Sequence, residues 1–333
     1  MFDPLVSDPK LHGPAIGIFC RELKKGGDPF SKDYYWQAYQ DLLLSLKSRG
    51  IETYLLSDNN TYRGYGKFYV AYTIDHKTTL SGLRAVEDVY IDLVFDRGGF
   101  IGRDVLTLNP PILTKIASSK IEMYEYFSDM QPLSIVSKNK KQTLKAAARL
   151  PGDKLVVKEP EGSGGNEVYI GDKKEVLTEL PDRYPLLVQE FLDTSKGVPG
   201  QIEGMHDVRL ALCGDEIISY YARTPQEGKL HANVAQGGTM TYFDVATAPA
   251  ELVEKVRNID GLFADQPRYY SLDFMNTPKG WMLVELNSYL GLMPASDGPK
   301  AQQTLDKLAN YLAEVCKNNR KERGLSVMKE EEK

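Results

Sequence analysis

The recurrence of short apolar segments is the feature that most constrains the fold of this chain. Residues 15–20, 51–56 and 90–95 each have the length and composition of a buried strand. Between the first two, Ser31 is placed to cap a helix that ends at Gly50. This alternation predicts a parallel α/β layer in the first third of the chain. No apolar run approaches ~18 residues, so no transmembrane helix is expected.

Composition narrows the class of protein further. Lys and Arg total 41 against 46 Asp and Glu, which gives a formal net charge of −5. This balance argues against a dedicated nucleic-acid binder. The amino terminus lacks the features of a signal peptide, and the 3 cysteines form no CxxC pair. We therefore expect a cytoplasmic protein that binds neither nucleic acid nor membrane, with a homo-oligomer left open.

Breaks in the strand–helix pattern predict the domain organisation. The run Asn109-Pro110-Pro111 interrupts the alternation, and a helix over about residues 112–127 follows. We expect an amino-terminal α/β domain at 1–111, a central subdomain at 112–190 and a carboxy-terminal subdomain at 191–316 that closes with a helix over 299–316. The charged tail at 317–333 is expected to be disordered.

A glycine-rich loop between two strands is the strongest local signal. The strand at 155–158 ends in Lys158, and the sequence Glu-Pro-Glu-Gly-Ser-Gly-Gly-Asn leads to a second strand at 167–170. Glycines allow backbone N–H groups to approach phosphate oxygens, and the lysine adds a positive charge. The loop matches neither a Walker A motif nor a Rossmann fingerprint. By itself the feature fits phosphate binding or a simple turn.

Two strands near the carboxy terminus carry polar side chains on one face. Glu285 and Asn287 are two residues apart on one strand, so both point the same way. If the connection from the preceding strand runs over residues 276–280, Asp273 lies opposite Leu283 on that same face. Three oxygen ligands of this kind suit Mg²⁺. A solvated polar face is the alternative.

A charged pair occupies alternate positions of another strand. Asp207 and Arg209 alternate with aliphatic residues, so they face a cleft or, as an exposed ion pair, solvent. The dipeptide Gly214-Asp215 predicts a tight turn into the next strand. Such a turn would place Arg223 on the opposite face from Arg209, unless a bulge or a longer turn intervenes.

Taken in order, these features resemble the ATP-grasp superfamily, and in particular its glutathione synthetase-like branch. The resemblance covers residues 109–287 and includes the segment ARTPQEGKLHANVAQGG at 222–238, with its R-x-P-Q, N and GG elements. It implies an α/β (α+β) ATP-grasp fold, in which an amino-terminal parallel α/β layer precedes two α+β subdomains that grip ATP.

The resemblance also assigns roles to individual residues. The implied ATP-binding residues are Lys120, Lys158, Gly162, Ser163, Gly164, Gly165, Glu190, Phe191, Leu192 and Asp207. The implied ligands of Mg²⁺ or Mn²⁺, as two ions, are Asp273, Glu285 and Asn287, and the implied catalytic residues are Arg209, Arg223, His231 and Asn233. In the hinge at 186–192, the backbone at Glu190 and Leu192 would bond the adenine edge while Phe191 packs on the ring.

Two departures from the family pattern bear on the site. His231-Ala232-Asn233 stands where glutathione synthetase has an arginine just before a Gly-Asn pair. The insertion at 193–206 is long, so Asp193 or Glu203 is an alternative to Asp207 for the ribose contact.

The activity implied by the resemblance is that of an ATP-dependent, ADP-forming carboxylate–amine ligase acting through an acyl phosphate. Its substrates would be a carboxylate, such as an amino acid or peptide, and an amine, bound between the amino-terminal layer and the carboxy-terminal subdomain. Arg97 and Arg103 lie near the carboxyl end of a strand and could bind the substrate carboxylate, or they are solvated loop residues. Tyr62 and Tyr65 are weaker candidates for the substrate pocket. A non-catalytic ATP-binding module and a phosphotransferase acting on a hydroxyl are the alternative functions.

Overall fold

The chain folds into two compact units, described here from a computed structural model. The structure describes residues 12–27, 29–30, 32–162, 167–230 and 237–325. Residues 1–109 and 291–333 form the first unit, and residues 110–290 form the second. Both ends of the chain thus contribute to one unit, so the last helix, which we placed in the carboxy-terminal subdomain, groups with the amino-terminal strands.

Seven helices and sixteen strands are assigned in the described residues. The helices are α1 (Asp33–Lys47), α2 (Pro111–Ser118), α3 (Lys120–Phe127), α4 (Lys140–Arg149), α5 (Lys173–Glu179), α6 (Ala250–Asp260) and α7 (Pro299–Glu322). The strands are β1 (Ala15–Cys20), β2 (Glu52–Leu56), β3 (Tyr62–Gly64), β4 (Lys67–Thr73), β5 (Arg84–Tyr90), β6 (Leu93–Arg97), β7 (Leu106–Leu108), β8 (Ser134–Ser137), β9 (Lys154–Lys158), β10 (Val168–Asp172), β11 (Leu186–Glu190), β12 (Asp207–Cys213), β13 (Glu216–Thr224), β14 (Thr239–Phe243), β15 (Tyr269–Thr277) and β16 (Gly280–Asn287). No helix in these described ranges combines the length and hydropathy needed to cross a bilayer.

The first unit is built on a seven-stranded mixed sheet. β1 pairs in parallel with β2 and β6, and β6 pairs in parallel with β7, as the alternation of strands and helices predicts. β4, however, pairs antiparallel with β2, β3 and β5. The layer is therefore not wholly parallel, because β3, β4 and β5 add an antiparallel extension over residues 62–90.

Helices α1 and α7 contact each other in the first unit. α1 begins after Lys32, which makes no side-chain cap, and the predicted cap Ser31 lies outside the described residues. α7 continues six residues past its predicted end at Cys316, to Glu322, because buried Arg320 holds its last turn through an ion pair with Asp92 at 3.1 Å. The start of the predicted disordered tail is thus helical, and residues 326–333 lie outside the described ranges.

The first sheet of the second unit is four-stranded and antiparallel, in the order β10-β9-β11-β8. Helices α4 and α5 cover one face, where Leu155, Val157 and Val188 form part of an apolar cluster. Because side chains alternate along a strand, Lys158 and Gln189 point to the other face. The face that carries Lys158 and Gln189 is therefore the one that α4 and α5 do not cover.

The second sheet of this unit is five-stranded, in the order β14-β13-β12-β15-β16. All of its neighbouring strands pair antiparallel. The β12–β13 register shifts after Ala211, which makes Ile218 an extra residue, and the β15–β16 register shifts after Asp273, which makes Val284 an extra residue. These two bulges determine which charged side chains share a face.

The helix predicted over 112–127 is two helices, α2 and α3. The chain leaves helical geometry at Ser119, whose φ is −138°, and the Ser119 hydroxyl accepts a hydrogen bond from the Glu122 N–H at 3.4 Å. Serine competes for backbone hydrogen bonds and caps helices well, which explains the break. Lys120 becomes the first residue of α3, and its N–H bonds the Pro160 carbonyl at 2.8 Å.

Candidate active site

A cleft between the two sheets of the second unit brings together residues predicted from separate segments. It encloses about 910 Å³ of space, part of it open to solvent. Its apolar wall includes Pro132, Val156, Ile170, Leu192, Met205, Met275 and Val284. Its polar lining includes Lys120, Lys158, Gly162, Glu190, Asp207, Arg223, Asp273 and Glu285.

Two lysines supply positive charge on the side of the first sheet. Lys158 ends β9 and is only 6% exposed, and its side chain makes no hydrogen bond or ion pair to any described residue. Burial lowers the pKa of Lys158 to about 8, with Glu285 opposing the shift and the charge of Lys120 adding to it. Lys120 donates to the Gly162 carbonyl at 3.2 Å, and burial lowers its pKa as well. Both ammonium groups are therefore placed to meet an anion.

Four charged side chains on the second sheet form a continuous chain of ion pairs. Arg223 makes two hydrogen bonds to Asp207, at 2.6 and 2.9 Å, and one to Asp273 at 2.6 Å. Arg209 makes two hydrogen bonds to Asp273, at 2.5 and 2.6 Å. Paired, hydrogen-bonded charges of this kind can remain buried.

The pKa values of Asp207 and Asp273 are shifted in opposite directions. Burial opposes ionisation of Asp273, but the charges of Arg209 and Arg223 outweigh it and hold its pKa below the usual range. At Asp207 burial dominates, and it raises the pKa despite the Arg223 guanidinium. The number of arginine partners explains the contrast, since Asp273 has two and Asp207 has one.

The bulges correct the predicted strand registers and explain this chain of ion pairs. Pairing continues to Thr277 and Gly280, so the connection is shorter than predicted and Asp273 faces Glu285 rather than Leu283. The shorter connection alone would have turned Asp273 away from Glu285 and Asn287. The extra residue Val284 shifts the register once more, so the three side chains share a face as predicted. The bulge in β13 likewise brings Arg223 opposite Asp207, which fulfils the condition under which both arginines serve one site.

The residues present at Asp273, Glu285 and Asn287 fit a hard divalent cation. Asp273 accepts three hydrogen bonds from arginines, so about one of the roughly four acceptor positions of a carboxylate stays open, on Oδ1. The Glu285 side chain is 30% exposed, with Arg209 at 4.0 Å, and the amide nitrogen of Asn287 is buried without a hydrogen-bond partner among the described residues. Among the described residues, no group of three or more His, Cys, Asp or Glu side chains could hold a metal ion. A set of three oxygen ligands here therefore needs Asn287 in addition to Asp273 and Glu285.

The segment after β11 forms one end of the cleft. The Glu190 N–H donates to the Leu133 carbonyl at 2.9 Å, and the Glu190 carboxylate accepts from the Leu133 N–H at 3.0 Å. Lys279, in the turn between β15 and β16, donates to the same carboxylate at 2.9 Å. The Leu192 N–H has no hydrogen-bond partner in the described parts of the chain. Glu190 thus links the first sheet to the second and leaves the Leu192 N–H open.

Two candidates for the ribose contact, Asp207 and Asp193, have different surroundings at the ends of the insertion at 193–206. Asp207 lines the cleft, but both of its carboxylate oxygens receive hydrogen bonds from Arg223. Asp193 is exposed and accepts from the Ser195 N–H at 2.9 Å. The insertion is closed at its base, where the Thr194 hydroxyl bonds the N–H and the carbonyl of His206.

The remaining predicted residues fall outside the cleft or outside the described ranges. Arg97 and Arg103 belong to the first unit; Arg97 is buried and bonds the Tyr39 hydroxyl at 2.9 Å, while Arg103 is exposed. Tyr62 and Tyr65 also lie in the first unit, where Tyr65 is 77% exposed. The predicted residues outside the described ranges are Ser163, Gly164, Gly165, His231 and Asn233.

Sequence reasoning missed three polar residues of this region. Gln189 and Glu167 line the cleft, and Lys279 bonds Glu190. Gln189 carried a signal, since a polar residue at an inward position of an otherwise apolar strand is unusual. Lys279 carried none, because its partner lies 89 residues away along the chain.

Two subdomains that enclose a cleft, with lysines on one side and carboxylates on the other, are typical of an ATP-grasp protein. Residues 129–311 match the RimK-like ATP-grasp domain, more than half of the chain. The chain therefore belongs to the RimK-like ATP-grasp family, and the predicted superfamily is confirmed.

Relatives with similar sequences are named as ligases. A probable alpha-L-glutamate ligase of Shewanella halifaxensis is 27% identical over 146 residues, which cover 42% of this chain and 29% of the relative. The glutathione synthetase of Salmonella typhimurium is 31% identical over 161 residues, which cover 46% of this chain and 47% of the relative. The chain thus spans about half or less of the length of these relatives.

A solved structure confirms the predicted fold class over nearly the whole chain. D-alanyl-alanine synthetase A from Vibrio cholerae superimposes with a TM-score of 0.61 at 11% identity, covering 92% of this chain and 98% of that one. At this identity the likeness shows the fold alone.

Proposed function

We propose that this protein is an ADP-forming carboxylate–amine ligase. The observation that carries the proposal is the convergence, around one cleft, of buried Lys158 and half-buried Lys120 with the Asp207–Arg223–Asp273 ion pairs and the Glu285 carboxylate. This charge pattern suits a polyphosphate that must approach a negatively charged carboxylate. The ligase names of the sequence relatives support the same class.

In the proposed reaction, a substrate carboxylate attacks the γ-phosphorus of ATP, and the bond from that phosphorus to the ADP oxygen breaks. An amine then attacks the acyl carbon, phosphate leaves, and the amine nitrogen loses a proton as the amide forms. Lys120 and Lys158 would offset phosphate charge, since preorganised cations stabilise such transition states without rearranging. Arg209 and Arg223 are fixed by Asp273 and would face the reacting phosphoryl group.

Mg²⁺ or Mn²⁺, expected as two ions, would be held by Asp273, Glu285 and Asn287 and would supply further charge compensation. The hinge would hold adenine through the Glu190 carbonyl and the Leu192 N–H, because the Glu190 N–H is already bonded to Leu133. Ribose would meet Asp207, Asp193 or Glu203. Ser163, Gly164, Gly165, His231 and Asn233 keep their predicted roles in phosphate binding and amine attack.

The proposed substrates are an amino acid or peptide carboxylate and an amine, in keeping with the names of the glutamate ligase and glutathione synthetase relatives. Arg97 and Arg103 remain candidates for binding the carboxylate. The three cysteines are buried and form no disulfide, which suits the proposed reducing, cytoplasmic setting.

A screen of amino acids and short peptides for substrate-dependent phosphate release tests the proposal. The ligase predicts phosphate and ADP in equal amounts, together with a product of the mass of the amide. ADP formation without phosphate release would indicate a phosphotransferase. ATP binding without turnover across amines and carboxylates would indicate a non-catalytic module, and either result would overturn the proposal.

A further inference from the structure

Ser271 is a buried polar residue of the second sheet that the proposed reaction does not use. It is 0% exposed and lies on β15 two residues before Asp273, so the two side chains point to the same face. Its hydroxyl oxygen has no hydrogen-bond partner among the described residues. A buried hydroxyl without a partner costs stability, because it has given up its hydrogen bonds to water. The position therefore calls for a group that the hydroxyl can serve.

The Asn287 side chain lies directly across the sheet from Ser271. The β15–β16 register pairs the two residues, whereas on its other side Ser271 faces Ala211, whose methyl group cannot form a hydrogen bond. The Cβ atoms of such a cross-strand pair are about 5 Å apart, which allows one hydrogen bond between a carboxamide and a hydroxyl. The amide nitrogen of Asn287 is also buried and unpartnered in the described parts of the chain. A group with protons to donate thus faces a group with lone pairs to accept.

We infer that Ser271 is a positioning residue that prepares Asn287 for cation binding by accepting a hydrogen bond from its amide nitrogen. The inference rests on the proposed function, in which Asn287 shares a divalent cation with Asp273 and Glu285. Hard cations are bound by the oxygen of a carboxamide and not by its nitrogen, so the nitrogen must point away from the ion. In the structure the nitrogen is the buried atom of the Asn287 amide, and Ser271 is the residue opposite it.

This hydrogen bond couples the affinity for the cation to the Ser271 hydroxyl. When the Asn287 oxygen binds the ion, its nitrogen stays in the protein interior, where an unpaired N–H group would offset part of the binding free energy. The Ser271 hydroxyl removes that cost and holds the plane of the amide. Groups that support a metal ligand in this way typically change metal affinity by about tenfold to a hundredfold.

Titration with Mn²⁺ alone, followed by the electron paramagnetic resonance signal of the free ion, tests the inference. Ser271→Ala should weaken Mn²⁺ binding about tenfold, the lower end of that range, because one of three ligands is affected. Ser271→Cys keeps the shape of the side chain but accepts hydrogen bonds poorly, so it should lose about as much. Ser219→Ala is the matched control. Ser219 is a buried serine that is separated from Ser271 by Ala211 in the same row of the sheet, and its replacement should leave the affinity unchanged.

A double-mutant cycle and thermal unfolding distinguish positioning from support of the fold. In an Asn287→Ala background, Ser271→Ala should cause no further loss of Mn²⁺ affinity, because the amide that it serves is gone. Without added metal, Ser271→Ala should melt at or above the native temperature, because it loses an unpartnered buried hydroxyl. Additive losses in the cycle, or a variant that melts well below the native protein, would show that Ser271 acts through the fold and would overturn the inference.

The results also separate this inference from the proposed function. A native protein that binds Mn²⁺, with the same affinity in Ser271→Ala, would overturn the role of Ser271 and leave the metal assignment intact. A native protein that binds no Mn²⁺ at millimolar concentrations would overturn the metal assignment and the inference together.

Discussion

Replacing Lys158 by methionine should stabilise the nucleotide-free protein while weakening its binding of ATP. Burial lowers the pKa of Lys158 from 10.5 to about 8, and the ammonium has no partner among the described residues. The folded protein thus bears the cost of a buried charge at pH 7. A shift of about 2.5 pKa units corresponds to about 3 kcal/mol. Methionine has a similar volume and no charge, so the variant should recover most of this free energy.

The direction of the pKa shift fixes how this gain depends on pH. Because the pKa of Lys158 is lower in the folded protein, the unfolded chain binds more protons between about pH 8 and 10.5, and native stability rises across that interval. The advantage of Lys158→Met should therefore shrink from about 3 kcal/mol at pH 7 to about 1 kcal/mol at pH 10.

Urea denaturation of both proteins at pH 7 and pH 10, with ATP affinity measured by calorimetry, checks the expectation. Lys174→Met, on the exposed face of α5, is the matched control and should alter neither quantity appreciably. A variant no more stable than the native protein at pH 7, or a gain that is the same at both pH values, would show that Lys158 is not held as a costly buried charge. Unchanged ATP affinity would remove Lys158 from the site.

Four further outcomes are expected. Glu285→Ala should abolish ATP turnover with the fold intact by circular dichroism; activity within about tenfold of native, or ~1.4 kcal/mol of barrier, would contradict the metal assignment. Excess EDTA should stop phosphate release, and Mg²⁺ or Mn²⁺ should restore it, whereas metal-independent release would count against the mechanism. Lys279→Met should raise the Kd for ATP about fivefold, because the buried Glu190 carboxylate loses the ammonium that it bonds. Since Lys279 is exposed, its ion pair contributes only ~1 kcal/mol. An unchanged Kd would exclude Lys279 from positioning the hinge. His231→Ala should lower kcat by about 10²-fold while the affinity for ATP is unchanged. If the rate of the native protein changes with pH between about 5.5 and 8, that change should be missing in His231→Arg. A His231→Ala variant with the native rate and the native pH profile would exclude His231 from the chemistry.

Much of the second unit could be predicted from sequence because its signals are local. Lys158 ends an apolar strand directly before a glycine-rich loop, and Glu285 and Asn287 are two residues apart on one strand, so short-range patterns mark them as candidates. Their relative placement depends on strand order, which required the resemblance to a known fold.

The features that escaped prediction depend on contacts between distant segments or on single extra residues. Strand patterns do not reveal bulges, so the positions of Ile218 and Val284 in the registers had to come from the structure. The antiparallel extension of the first unit was missed because many of its strand residues are exposed, so that the strands lack the continuous apolar run of a buried strand. Lys279 was missed because nothing in its turn indicates a partner on another sheet.

The cross-strand origin of the charged chain has an evolutionary consequence. Asp207, Arg209, Arg223 and Asp273 are brought together by strand pairing alone, and the insertion at 193–206 closes on itself between Thr194 and His206 before β12 begins. Descendants of such a gene can lengthen, shorten or exchange that loop without displacing the charges. Deletion of one codon at Ile218 would instead turn Arg223 to the opposite face of the sheet. Lineages of this protein should therefore diversify by insertions in the loops, while the number of residues in each of these strands stays the same.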